Sequence, residues 1–174
     1  MSTYHEVLQE QLAAEHSKSQ TMRIVHWIGH DAERLAALMD IFLGSDYRLT
    51  QRSAWVVRYV GERSPASLEP WHERMIASMS RNPVHGAVKR NVLKVYERIE
   101  IPLRLYDALA DLGFSCLADA QEDVAVRCTA MAVLEKICRV VPDLKMELRL
   151  LLEEQYENGS AGFKSRARKV LARI

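Results

Sequence analysis

His26 and His30 stand four residues apart in what reads as a helix, a spacing that would turn both imidazoles to one side to share a metal ion. Zinc needs at least a third protein ligand, and a hydrolytic site also needs a bound water and a base. Trp27, Ile28 and Gly29 occupy the interval. None of them is a base, and the glycine marks a helix end that would separate the two rings. The carboxylates occur as adjacent pairs, Glu122-Asp123 and Glu153-Glu154, and adjacent residues on a helix do not face each other. No GxSxG elbow occurs, and no cysteine has a histidine near it in sequence. Phosphate-binding GxxxxGKS/T and GxGxxG loops are also missing. The nearest approach is Gly159-Ser160-Ala161-Gly162-Phe163-Lys164, a glycine-flanked turn entering a basic stretch. Its simplest role is punctuation: Gly159 ends one helix and Ser160 caps the next. No catalytic residue, metal ligand or cofactor is therefore expected.

Residue types suited to binding are more plentiful. Trp27, Trp55, Trp71, Tyr59 and Tyr96 could line a groove, although Trp55 falls in the apolar phase of its helix and is expected in the core. The elements that must carry these residues are helices throughout. Apolar residues recur at three- and four-residue spacing, as in Val124, Cys128, Met131, Ala132, Leu134, Ile137 and Cys138, or Leu35, Leu38, Met39, Phe42 and Leu43. No strand-like alternation and no Asn-Gly or Asp-Gly hairpin signal appears. Asp31, Thr50, Asp123, Asp143 and Ser160 precede helical stretches as expected N-caps, and Pro65, Pro70, Pro83, Pro102 and Pro142 fall between them. Nine or ten helices with short connections follow.

The 174 residues suit one domain, 1–174, and 48% apolar with 27% charged residues is the balance of a globular protein. The longest apolar runs are too short to cross a bilayer, and no leader pattern is present. A cytoplasmic protein without membrane contact is expected, and three cysteines without a CxxC pair agree with reduced, buried thiols.

An internal repeat lies on this framework. Stretches beginning at Thr50, Ala87, Ala125 and Gly162 each place one or two basic residues before Ala or Val inside a helix. Arg52 precedes Arg90 by 38 residues, Lys89 precedes Arg127 by 38, and Arg127 precedes Lys164 by 37. Asp123-Val124-Ala125-Val126-Arg127-Cys128-Thr129-Ala130 resembles the Asp-x-x-Val-Arg-x-x-Ala opening of the second helix of a HEAT repeat, and the other copies match it loosely. The chain is also similar to a group of short bacterial HEAT-like proteins. This resemblance implies an all-α α-α superhelix of about four two-helix repeats over residues 30–174, led by one N-terminal capping helix within residues 1–29.

Charge divides along the same lines. The second-helix segments sum to +12, whereas the first-helix segments and the leading stretch sum to −10. In a HEAT-like superhelix the second helices line the concave side, which would make that face basic. Two readings compete: a surface that gathers an anionic macromolecule, or arginines that pair with carboxylates of adjacent repeats. The expected function is a non-catalytic scaffold that binds a partner, protein in the first instance, through Arg52, Arg58, Lys89, Arg90, Arg127 and Arg166. The alternative is a nucleic-acid-binding or repair protein resembling the HEAT-like alkylpurine DNA glycosylases, with Trp55 beside the arginines. Self-association through the last helix is a third possibility, because no separate cap follows it.

Overall fold

Short side chains just ahead of each apolar run decide where most helices begin, because a helix start leaves backbone amides without intrahelical acceptors. The computed structural model describes residues 3–81 and 83–174. Among them are ten α-helices: α1 Thr3–Ala14, α2 Lys18–Ile28, α3 Ala32–Phe42, α4 Tyr47–Arg63, α5 His72–Ser78, α6 Gly86–Arg98, α7 Tyr106–Ala118, α8 Val124–Val140, α9 Leu144–Tyr156 and α10 Ala161–Leu171. Short 3-10 segments, Pro65–Trp71 and Leu103–Leu105, lead into α5 and α7. The described residues include no strand.

Asp31 accepts from the amides of Glu33 and Arg34, and Ser160 from that of Phe163, as expected. α4 starts four residues earlier than its sequence suggests. Asp46, not Thr50, accepts from the Leu49 amide at 2.8 Å, and Thr50 lies inside the helix. Asp123 and Asp143 hold the N-cap positions of α8 and α9 without a capping side-chain bond. The leading stretch is also two helices rather than one. Ser17 accepts from the Gln20 amide at 3.1 Å, and the Gln20 side chain donates back to Gln11 O at 2.9 Å, turning the chain between α1 and α2. Ser17-x-x-Gln20 is a capping-box pattern, legible in the sequence.

Contacts gather the chain into two compact units, one running to Ile99 and the other from Glu100 to Ile174. In the first unit α1 packs on α3, while α2 packs on α4 and α4 on α6. In the second, α7 packs on α9 and α8 on α10, with α7 also laid along α8. First helices thus stack on first helices and second on second, the packing of an α-α superhelix. The stretch expected to be a single cap, residues 1–29, supplies a helix pair that stacks in the same way.

The second helices of both units repeat one buried position. Ser53, Asn91 and Thr129 recur at intervals of 38, each buried, and Ala167 continues the series. Each polar member bonds backward within its own helix: Ser53 to Thr50 O, Asn91 to Ala87 O and Thr129 to Ala125 O. Buried Thr21 of α2 does the same to Ser17 O. The polar atoms are therefore satisfied without a partner from the neighbouring helix, and the position stays small enough for close packing. Gly61 of α4 extends that closeness. A Cβ there would stand 2.7 Å from a Leu68 methyl and 3.0 Å from a Val95 methyl of α6. Gly61→Val is expected to destabilise the protein by about 2 kcal/mol through overpacking, read as an earlier midpoint in urea-induced loss of helical circular dichroism.

Candidate interaction surface

The outward side of α4 is the richest surface of the first unit. Helical spacing places Arg48, Gln51, Arg52, Trp55, Arg58, Tyr59 and Glu62 on one side, opposite the buried Ala54, Val57 and Gly61. Trp55 is half-buried, not a core residue. Its ring lies 5.5 Å from the His16 ring and 6.4 Å from that of Tyr59. The Arg58 guanidinium stands 4.9 Å over Tyr59 and pairs with Glu62 at 2.8 Å. Trp55 falls on the side of α4 away from the buried Ala54, Val57 and Gly61, where the His16 ring, from the stretch between α1 and α2, and the Tyr59 ring lie beside it. His16 is exposed as a residue, but burial of its ring, and then the Arg52 guanidinium, hold its imidazole below the usual histidine range.

The six basic residues singled out by the repeat separate into distinct environments. Arg52 turns inward to the end of α1, donating to Leu12 O at 2.5 Å and Ala13 O at 2.9 Å, so it caps a helix C-terminus. Arg58 remains on the surface in its ion pair. On α6, Arg90 is exposed and Lys89 half-buried. In the second unit Arg127 is only 7% exposed. Its guanidinium lies 4.4 Å over the Phe163 ring of α10 and donates to Gln155 Oε1 of α9, and its Nε is buried without a hydrogen-bond partner. Arg166 of α10 is half-buried.

Helix phase accounts for part of the split, and neighbours decide the rest, since Arg52 turns inward while Arg90 at the equivalent position is exposed. Arg52 and Arg90 share one repeat column, immediately before Ser53 and Asn91, whereas Lys89 and Arg127 share the column before that. One residue is about 100° of rotation on a helix, so the two 38-residue series point to different sides. Among the described residues, ion pairs within second helices include Lys94–Glu97 at 2.5 Å and Arg139–Glu135 at 2.6 Å. Neighbouring repeats are joined by Arg173, which reaches buried Glu135 of α8 at 3.3 Å.

The remaining sequence candidates also find their places. α2 ends at Gly29, whose φ of +52° turns the chain out of helix before His30, so the two histidines are not in helical register. His26 Nδ1 instead sits 2.7 Å from Met22 O. Trp27 lies under Arg34, 4.5 Å from ring centroid to guanidinium, and Trp71 lies under Arg74 at 5.2 Å. Tyr96 is fully buried beside His72, with 3.2 Å between its hydroxyl and Nδ1. Cys116 and Cys138 are buried, while Cys128 is half-buried with its Sγ 3.7 Å from Gly162 O. No group of three potential metal ligands occurs among the described residues, and no helix there is long and apolar enough to cross a membrane.

Compared with known proteins, residues 8–174 match the HEAT repeat domain, and with nearly the whole chain covered the protein belongs to the HEAT repeat family. No curated protein and no solved structure matches it.

Two outcomes follow from these environments. Arg127→Ala should cost about 2 kcal/mol of stability by opening a packed, hydrogen-bonded site, whereas exposed Arg90→Ala should stay within about 0.5 kcal/mol, both read from urea midpoints. Burial pushes the Cys138 thiol up, with Lys145 partly offsetting this and Glu147 adding to it. The thiolate being the reactive form, Cys128 should react first with a colorimetric disulfide reagent at mildly alkaline pH. Cys138 should react only when denaturant is added.

Proposed function

We propose that this HEAT repeat protein is a non-catalytic interaction module whose first unit offers the outward side of α4 to an acidic segment of a partner protein. The observation that carries this reading is the Trp55–Tyr59 ring pair with Arg58 stacked on it at the surface. Large, rigid aromatic rings and a planar guanidinium give contact area at little cost in side-chain ordering, which is why Trp, Tyr and Arg dominate binding hot spots. Exposed Arg48 on the same side and exposed Arg90 on the adjoining helix α6 add positive potential that attracts carboxylates.

Protein is favoured over nucleic acid by the state of the cations. A phosphate backbone is bound by several guanidinium or ammonium groups at once, each displacing counterions. Here Arg52 is committed to the end of α1, Arg127 is buried, and Arg58 shares its surface with Glu62. A mixed acidic and apolar peptide meets rings and cation together and takes Arg58 over from Glu62 with little change in charge. Arg58, Arg90 and, more peripherally, Lys89 are the proposed contacts. Arg52 supports the end of α1 beside that surface, and Arg127 and Arg166 belong to the second unit and are not among the proposed contacts.

The test compares fluorescein-labelled probes by anisotropy: a peptide alternating Glu with Leu and Phe, an oligothymidine and a duplex DNA, each at low and high salt. Salt-sensitive binding of the acidic peptide, weakened about tenfold by Trp55→Ala with Arg58→Glu, is the expected result; tenfold corresponds to about 1.4 kcal/mol. Tight DNA binding with a steep salt slope, lost in the same variant, would replace this reading with a nucleic-acid one.

A further inference from the structure

The acidic first helices were left without a role by the surface described above, and in the second unit they enclose an apolar groove. α7 and α9 run side by side. Between them opens a cleft of about 740 Å³ whose apolar lining includes Phe114, Ala118, Met146, Leu150 and Leu151. Met146 and Leu150, one turn apart on α9, are 63% and 59% exposed, among the largest exposed apolar side chains of the protein. Single exposed apolar residues need no explanation, but two in register over a groove form a patch.

The rim of this groove carries one sign of charge. Asp143, Glu147 and Glu154 line it, and exposed Asp111 stands one turn before Phe114 and Ser115 on the same side of α7. The cations of α9 lie elsewhere: helical spacing puts Lys145 and Arg149 on its other side, where Arg149 pairs with Glu153 at 3.7 Å and donates to Ile174 O at 3.1 Å. No lysine or arginine lines the cleft.

We infer that this groove is a docking site for a basic amphipathic helix of another protein. The chemistry of the occupant follows from the lining. An apolar stripe at i, i+4, i+7 spacing would cover Met146, Leu150 and Leu151, while flanking lysines or arginines would meet Glu147, Glu154, Asp143 and Asp111. From Asp143 to Glu154 the helix rises about 16 Å, which matches about three turns of a docked helix. This chain cannot supply that helix from its own basic α10, because Phe163, Ala167 and Val170, the apolar stripe of α10, are already completely buried. The site belongs to the second unit and the α4 surface to the first, and their charges are opposite, so each unit would draw partners of one sign.

The test uses the full chain and a fluorescein-labelled peptide of leucine and lysine only, long enough for about five helical turns (~18 residues), with its leucines at helical spacing. A second peptide of the same composition has the leucines reordered to break the stripe. Saturable binding of the patterned peptide is expected, at least tenfold tighter than of the reordered one and weakened by salt. Met146→Ser with Leu150→Ser, and separately Glu147→Lys with Glu154→Lys, should each reduce it about tenfold. All four positions are at the surface or rim, so the variants should keep the wild-type urea midpoint. Trp55→Ala with Arg58→Glu should leave it unchanged, which keeps this result independent of the α4 reading. Equal affinity for both peptides would show a bare polyanion surface and overturn the proposal, as would no binding at all. A concentration-dependent dimer in sedimentation that Met146→Ser with Leu150→Ser dissociates would show a second copy as the occupant and overturn it equally.

Discussion

Second helices packed directly on second helices are the constraint on which the rest of this structure depends. A helix pair of this size has an apolar stripe that one partner cannot cover, so each pair must find a neighbour. Close approach requires small residues along the contact, and any polar one must satisfy itself locally. Thr21, Ser53, Asn91 and Thr129 meet both conditions by bonding back to carbonyls of their own helices, and Gly61 lets α4 meet Leu68 and Val95 of α6 without a clash. With the stacking fixed in this way, the orientation of every other side chain on those helices is fixed too.

The proposed interaction surfaces are what remains after stacking has taken its share. On α4 the stripe that packs leaves Trp55, Arg58 and Tyr59 outside, steadied by one another and by His16 rather than by the core. On α9 it leaves Met146 and Leu150 outside beside carboxylates. In both places the sequence-level amphipathicity is imperfect for the fold, and the imperfection is the feature that a partner would use. Charge separates the two: basic and aromatic on a second helix of the first unit, acidic and apolar on the first helices of the second unit.

Arginine shows how far residue type alone underdetermines role. The guanidinium of Arg127 is buried against Phe163 and Gln155, that of Arg52 closes the end of α1, and that of Arg58 lies on an aromatic ring at the surface. All three occur within the basic repeat signature and look alike in sequence. Their long stems let the charged head reach a carbonyl, a ring or water according to which is near.

Period, punctuation and composition determined the all-helical architecture, the repeat spacing and the absence of familiar catalytic motifs, because these follow from local residue spacing. Asp31, Ser160, Gly29 and Pro83, Pro102 and Pro142 were read correctly as boundaries, since a cap or a break acts within a few residues, whereas Pro65 opens and Pro70 lies inside a short 3-10 segment. The Ser17 N-cap that splits the leading stretch was equally local, and a search for Ser-x-x-Gln would have found it. The Asp46 cap of α4 was local as well, whereas tertiary structure alone decided the half-exposure of Trp55 and the burial of Arg127. Each depends on what packs against a helix from far along the chain, and a shift of one residue turns a side chain by about 100°. The repeat said where basic residues recur; only the phase of each helix against its neighbours said which of them face water.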